Sequence, residues 1–215
     1  MKTVVCLGDS ITAAVCEQVS AEQSYCGLIE KMLNEAGVEA KVVNAGIGGH
    51  TSQDGLARLE TDVLAHQPDV VTVMFGTNDQ SHIVGDEKPR VRIEDYEVAM
   101  REIVRLSRLA GAEVVLLTPP PLSDGWFKIA EVPAFYHSLG ASVMVGQYAD
   151  RVRTIARTLN TPLVDIYQAF VAAMIEGADI DAIMPDGVHP WAEGHRMMAM
   201  EMVAEVAGAL QPGCG

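Results

Sequence analysis

The chain has 215 residues, 49% of them hydrophobic and 20% charged, which fits one globular domain over residues 1–215 with a core of its own. Its 15 Lys and Arg against 29 Asp and Glu leave a net charge of -14, which repels a phosphate backbone and speaks against nucleic acid as a partner. No stretch approaches the roughly 18 apolar residues of a membrane span and no signal peptide is visible, so a cytoplasmic location is the default expectation, with a trimmed secreted form as the alternative.

Residues 3–7 form an apolar run that stops at Gly8-Asp9-Ser10, the pattern of a buried strand ending in a tight turn with a hydroxyl at its tip. Ser and Asp are also common helix N-caps, so this stretch alone leaves the role of Ser10 open. A helical pattern follows over 25–36, where Leu28, Met32 and Leu33 share one face. Further strands are predicted at 40–44, 70–75, 113–118 and 162–164, and helices at 52–66, 93–110, 142–159, 167–176 and 191–210. In the helix over 93–110, the spacing of Ile103, Leu106 and Leu109 predicts a buried stripe. Strands alternating with helices imply an α/β fold with a doubly wound parallel sheet, whose site lies outside the carboxyl ends of the strands. The segment 119–140 is long for a connection and carries Trp126, Phe127, Phe135 and Tyr136. It reads equally as a binding loop or as an excursion covering the sheet edge. The cysteines, Cys6, Cys16, Cys26 and Cys214, make no C-x-x-C pair and no metal-like grouping with His, so free thiols, no metal and no cofactor are expected.

Four glycine-bearing polar turns fall at the predicted strand ends or before the last helix: "GDSIT" from Gly8, "NAGIGGHTS" from Asn44, "GTND" from Gly76 and "PDGVHP" from Pro185. Acyl transfer needs this set of groups. A serine hydroxyl needs a base, and a carboxylate fixes the tautomer of a histidine base. Asp186 and His189 share one short turn. The developing oxyanion needs oriented donors, for which Gly48-Gly49 offers exposed backbone and Asn78 an amide. Each turn taken singly is more often only a turn or a cap. Taken jointly, in this order, they favour chemistry. His195, on the predicted last helix, reads first as a surface or structural residue and is the second-choice base behind His189.

Rivals from other classes are weak. G-x-S-x-G is absent, which removes the common α/β-hydrolase elbow. Gly46-Ile47-Gly48 hints at dinucleotide binding, but the third glycine position is Thr51 and no acid ends the next strand. A non-catalytic binding protein of the same fold would be expected to lack Ser10, Asn78 or His189, and all are present.

These blocks, spread over residues 4–190, resemble those of the SGNH hydrolases, the GDSL-type esterases and lipases. The resemblance implies a three-layer α/β/α sandwich on a flavodoxin-like parallel sheet of about five strands. It implies Ser10 as nucleophile, His189 as base and Asp186 as its partner, with oxyanion donors from the Ser10 N–H, Gly49 and Asn78. Many members carry Asp where this chain has His50, which leaves Gly48 as an alternative to Gly49 and makes His50, with Asp9, Trp126 and Phe127, a candidate substrate-lining residue. "VTVMFGTNDQ" and "VVLLTPPPL" are most similar to the short-chain acetate-ester hydrolases, while "TSQDGLARLETDVLAHQPD" also resembles bacterial thioesterase/lysophospholipase members. The implied activity is hydrolysis of short acyl esters of a small-molecule substrate. A thioesterase or lysophospholipase and a deacetylase of acetylated carbohydrates are the alternatives.

Overall fold

The computed structural model describes residues 1–16, 18–82, 88–123, 125 and 140–211. Its sheet is all parallel and comprises β1 (Lys2–Gly8), β2 (Ala40–Gly46), β3 (Val70–Met74), β4 (Glu113–Leu117) and β5 (Leu163–Val164), in the order β2-β1-β3-β4-β5. The helices are α1 (Ser10–Ala13), α2 (Tyr25–Glu35), α3 (Ser52–Ala57), α4 (Leu59–Asp62), α5 (Ile93–Leu109), α6 (Ala141–Leu159), α7 (Ile166–Ile175), α8 (Ile180–Ile183) and α9 (Ala192–Ala209).

The unbroken apolar strands have the reason the sequence implied: both faces of the sheet are covered. In β1, Val4 and Cys6 enter one core, and Val5 and Leu7 enter the other. The first core is closed by Ile29 and Leu33 of α2, Phe170 of α7, and Met198 and Met202 of α9. The second is closed by Tyr96, Met100 and Ile103 of α5, and Val152 and Ile155 of α6. Each fully buried side chain of this size contributes about 1.5–3 kcal/mol, so these contacts fix which face each helix presents. The result is the three-layer sandwich.

Two expectations need correction, and two short helices were not predicted. The helix predicted over 52–66 is broken into α3, α4 and a 3-10 turn at Leu64–His66. The first break falls at Arg58, which turns inward to donate from Nη2 to the Gly8 carbonyl at 2.9 Å. Leu109 is 71% exposed rather than part of a buried stripe. Steps of three residues drift by about 60° each around a helix, so the third member of such a series has left the face of the first. Finally, α1 and α8 are each four residues long, too short for periodicity to announce.

Register does the work of alignment. Gly8 of β1 pairs with Gly46 of β2 and with Met74 of β3, so these three residues form one row across the carboxyl edge. Ser10, Gly49 and Asn78 follow that row by two, three and four residues. Among the described residues no helix is long and apolar enough to cross a membrane. Cys6, Cys16 and Cys26 are free thiols, and Cys214 lies outside the described residues.

Candidate active site

The turn after β1 is held from three directions. Asp9 caps α1, with Oδ1 accepting the Ile11 N–H at 3.0 Å. The Gly8 carbonyl accepts the Ile47 N–H at 3.2 Å as well as the Arg58 guanidinium. Asn44 donates from Nδ2 to the Thr12 carbonyl at 2.7 Å while its Oδ1 accepts the Gly46 N–H at 2.9 Å. The turns that follow β1 and β2 are therefore bonded to each other. Asp9 is only 1% exposed and is a cap rather than a lining residue, which corrects the sequence expectation. Burial is the main cause that pushes its carboxyl up to about 7; the charge of Asp79 adds to this, and the Ile11 N–H opposes it.

Ser10 is the first residue of α1 and is brought to residues 179 positions away. Its Oγ lies 2.9 Å from His189 Nε2, and His189 Nδ1 lies 2.6 Å from Asp186 Oδ2. The other Asp186 oxygen accepts the backbone N–H groups of Val188 at 2.9 Å and His189 at 2.7 Å. Partial burial works to raise the Asp186 pKa, but the His189 N–H, its ring and the Val188 N–H prevail and hold the carboxyl below its usual range. A carboxylate can only accept, so Nδ1 carries the ring proton and Nε2 presents its lone pair to the Ser10 hydroxyl. An imidazole so placed can take a proton from Oγ as a bond forms to carbon.

Two neighbours on the turn after β3 tie it to the turn after β2. Asn78 donates from Nδ2 to the His50 carbonyl at 2.9 Å. Asp79 is fully buried; its Oδ1 accepts the Ser52 N–H at 2.9 Å and the Ser52 hydroxyl at 2.6 Å, and its Oδ2 accepts the Gly76 N–H at 3.1 Å. Burial pushes the Asp79 carboxyl up to about 6 against the pull of these donors. Thr51 and Asp54 form a capping box that starts α3 immediately after His50. Gly49 has φ +77° and takes the third place of a turn in which the His50 N–H reaches the Ile47 carbonyl at 3.3 Å. His50 is half-buried, and its Nδ1 is buried without a partner among the described residues.

The structure joins Ser10, His189 and Asp186 by hydrogen bonds and carries Gly49, His50 and Asn78 on the turns that follow the neighbouring strands β2 and β3, where the Asn78 amide meets the His50 carbonyl. The sequence reading missed Asp79 and Arg58, whose only signal was their place inside "GTND" and "GLARL". His195 is set apart. It is 1% exposed, its Nδ1 accepts the Tyr25 N–H at 3.2 Å, and its ring stacks on Tyr25. Burial is the main cause that pushes its pKa down to about 4. It is a neutral acceptor for the start of α2. Trp126 and Phe127 lie outside the described residues, as does most of 119–140. A cavity of about 680 Å³ lies elsewhere, between α5 and the end of α6, where Leu56, Val98, Leu109 and Leu159 meet paired arginines.

Residues 6–197 match the GDSL-like Lipase/Acylhydrolase family. The chain is 28% identical over 214 residues to the acetylxylan esterase of Geobacillus stearothermophilus, covering 93% of this chain and 91% of that protein. It is 26% identical over 211 residues to the isoamyl acetate-hydrolyzing esterase 1 homolog of Mus musculus, covering 93% and 79%. Its fold superimposes on the crystal structure of a lipase/acylhydrolase from Enterococcus faecalis with a TM-score of 0.78, at 26% identity and 100% coverage of both chains. With the sheet order, the row of strand ends and the Ser10–His189–Asp186 line already in place, the conclusion is that this chain belongs to the GDSL-like lipase/acylhydrolase family and is a carboxylic ester hydrolase.

Proposed function

We propose that the protein hydrolyses short-chain, acetyl-type esters through an acyl-enzyme on Ser10. The observation that carries this reading is the line of two hydrogen bonds from Ser10 Oγ through His189 to Asp186. His189 takes the hydroxyl proton as Oγ attacks the ester carbonyl and gives it to the alcohol oxygen as the C–O bond breaks. Asp186, kept charged by its donors, holds the ring proton on Nδ1 and stabilises the imidazolium. Water then repeats the sequence on the acyl-enzyme. The developing oxyanion is received by the N–H groups of Ser10 and Gly49 and by the Asn78 amide, one hydrogen of which is already committed to His50.

The short-chain part rests on the sequence resemblance and on two relatives whose names contain acetylxylan and isoamyl acetate. The test is kcat/KM across p-nitrophenyl esters from acetate to palmitate, below their micelle concentrations, for the wild type and Ser10→Ala. Ser10→Ala is expected to lose about three or more orders of magnitude in kcat, as removal of a serine nucleophile does elsewhere. The wild type is expected to peak between acetate and butyrate. A phosphonate adduct on another residue would remove Ser10 from the mechanism. A maximum at octanoate or beyond would favour the thioesterase/lysophospholipase alternative.

A further inference from the structure

Several glycines stand at the carboxyl edge of the sheet that carries Ser10, and most are required by the backbone. A Cβ at Gly8 would lie 2.0 Å from Thr12 Oγ1, and one at Gly46 would lie 2.2 Å from the Ala13 nitrogen. Gly49 and Gly76 have φ of +77° and +130°, where a side chain is strained. Gly48 differs. Its φ is not positive, and a Cβ there would meet only Val15 Cγ1 at 3.6 Å and Ser10 Cβ at 4.0 Å, both ordinary contacts. It holds the second place of its turn, a position that accepts most residues. The fold does not demand a glycine at this point, yet its missing side chain leaves bare the space beside the nucleophile.

Which part of an ester takes that space follows from topology. β2 is the edge strand beside β1, so the turn carrying Gly48 flanks Ser10 on the side away from β3, β4 and β5. On the opposite side the segment after β4 reaches the turn of the catalytic pair, with the Ser123 N–H donating to the Gly187 carbonyl at 2.9 Å. The β2 side is open: Val15 is 53% exposed, Ile47 is 37% exposed, and Gly48 is exposed. A short acyl group is selected by walls that close around it. The alcohol must instead leave and be replaced by water, which suits the open side.

Building on the reading of Ser10 as nucleophile, we propose that Gly48 and Val15 form the floor of the alcohol subsite, and that the bare backbone at Gly48 sets how bulky an alcohol reaches Ser10. Gly48 is then a specificity-determining residue for the acylation step. In that step the Oγ–C bond forms, the C–O bond to the alcohol breaks, and His189 passes the hydroxyl proton to the departing oxygen. All acetate esters share one acetyl-enzyme, so deacylation is blind to the alcohol. Acylation is not.

The experiment measures kcat/KM for ethyl acetate and 1-naphthyl acetate, and for p-nitrophenyl acetate and butyrate, in the wild type, Gly48→Ala, Gly48→Leu and Val15→Ala. Gly48→Leu is expected to lower the naphthyl-to-ethyl ratio by about tenfold or more, the scale on which a pocket rejects extra bulk, while leaving the acetate-to-butyrate ratio unchanged. Gly48→Ala should shift the first ratio in the same direction, and Val15→Ala in the opposite one. These two small changes test the proposal even if Gly48→Leu fails to fold. A loss equal for both alcohols, or one that grows from acetate to butyrate, overturns it. Retention of activity by Ser10→Ala would instead overturn the underlying reading of the site.

Discussion

At the scale of single residues, the sequence marks candidate groups wherever the proposed chemistry requires a particular side chain in a particular turn. Asn78 is the sharpest case. Its amide is oriented by the His50 carbonyl at 2.9 Å, so it is held in place before substrate arrives. A donor of this kind acts mainly on the charge that develops in the transition state. Asn78→Ala is therefore expected to lower kcat by roughly a hundred- to a thousandfold with little change in KM. Steady-state kinetics on p-nitrophenyl acetate check this, and a rise in KM at constant kcat would make Asn78 a substrate-binding residue instead. The roles of Asp9 and His195 were harder to read, because neither depends on residue type alone. Asp is a frequent cap and His a frequent base, and only burial distinguishes the two uses. Asp9 sits under α1 and His195 under α2, each bonded to a backbone N–H.

At the scale of elements, the strands were legible because both of their faces are covered, and periodicity then reduces to an apolar run. The helical layer was legible except in helices of four residues and where a tertiary bond intervenes, as at Arg58, whose target is the Gly8 carbonyl 50 positions earlier. Such pairings leave no local pattern. Asp79 belongs to the same class, joining the turn after β3 to the start of α3 across 27 residues. An Asn at position 79 has one oxygen for two groups of donors, Ser52 and the Gly76 N–H, so one group must face an amide NH2. Asp79→Asn is expected to loosen the turns that carry Gly49 and Asn78, lowering kcat on the order of tenfold at nearly constant KM. A double-mutant cycle distinguishes this from general damage. If Asp79 acts through the oxyanion donors, its substitution should cost far less in an Asn78→Ala background. Additive losses would assign it a purely structural role.

At the scale of the whole molecule, the buried titratable groups set a pH dependence of stability that can be worked out in sign. Asp9 and Asp79, raised to about 7 and about 6 chiefly by burial, keep their protons in the fold after the unfolded chain has released them. Stability falls with pH wherever the native state binds more protons, so each erodes stability from about pH 4 up to its folded value. His195, lowered to about 4 chiefly by burial, acts in the other direction: its contribution is complete above the ordinary histidine value and is lost as pH falls toward 4. From about pH 4 to 6 two carboxylates oppose one histidine, and the net trend is a loss of stability as pH rises. Below that range the carboxylates with lowered values, such as Asp69 beside Lys2 and Glu97 beside Arg101 and Arg151, are protonated and lose their pairs. The melting temperature is therefore expected to peak on the acidic side, near pH 4 to 5, and to decline toward neutrality. Asp9→Asn can keep the cap, since Asn is as good an N-cap as Asp, while removing one of the two eroding groups. It should flatten the curve between pH 4 and 6 and gain stability over the wild type at pH 8 on the order of 4 kcal/mol relative to pH 4. His195→Gln should steepen the decline, because the opposing group is gone. Thermal melts of the three proteins from pH 4 to 8 decide the matter. A wild-type curve that climbs steadily to pH 8 would mean that Asp9 and Asp79 are already ionised in the fold at pH 5, held there by donors stronger than their burial.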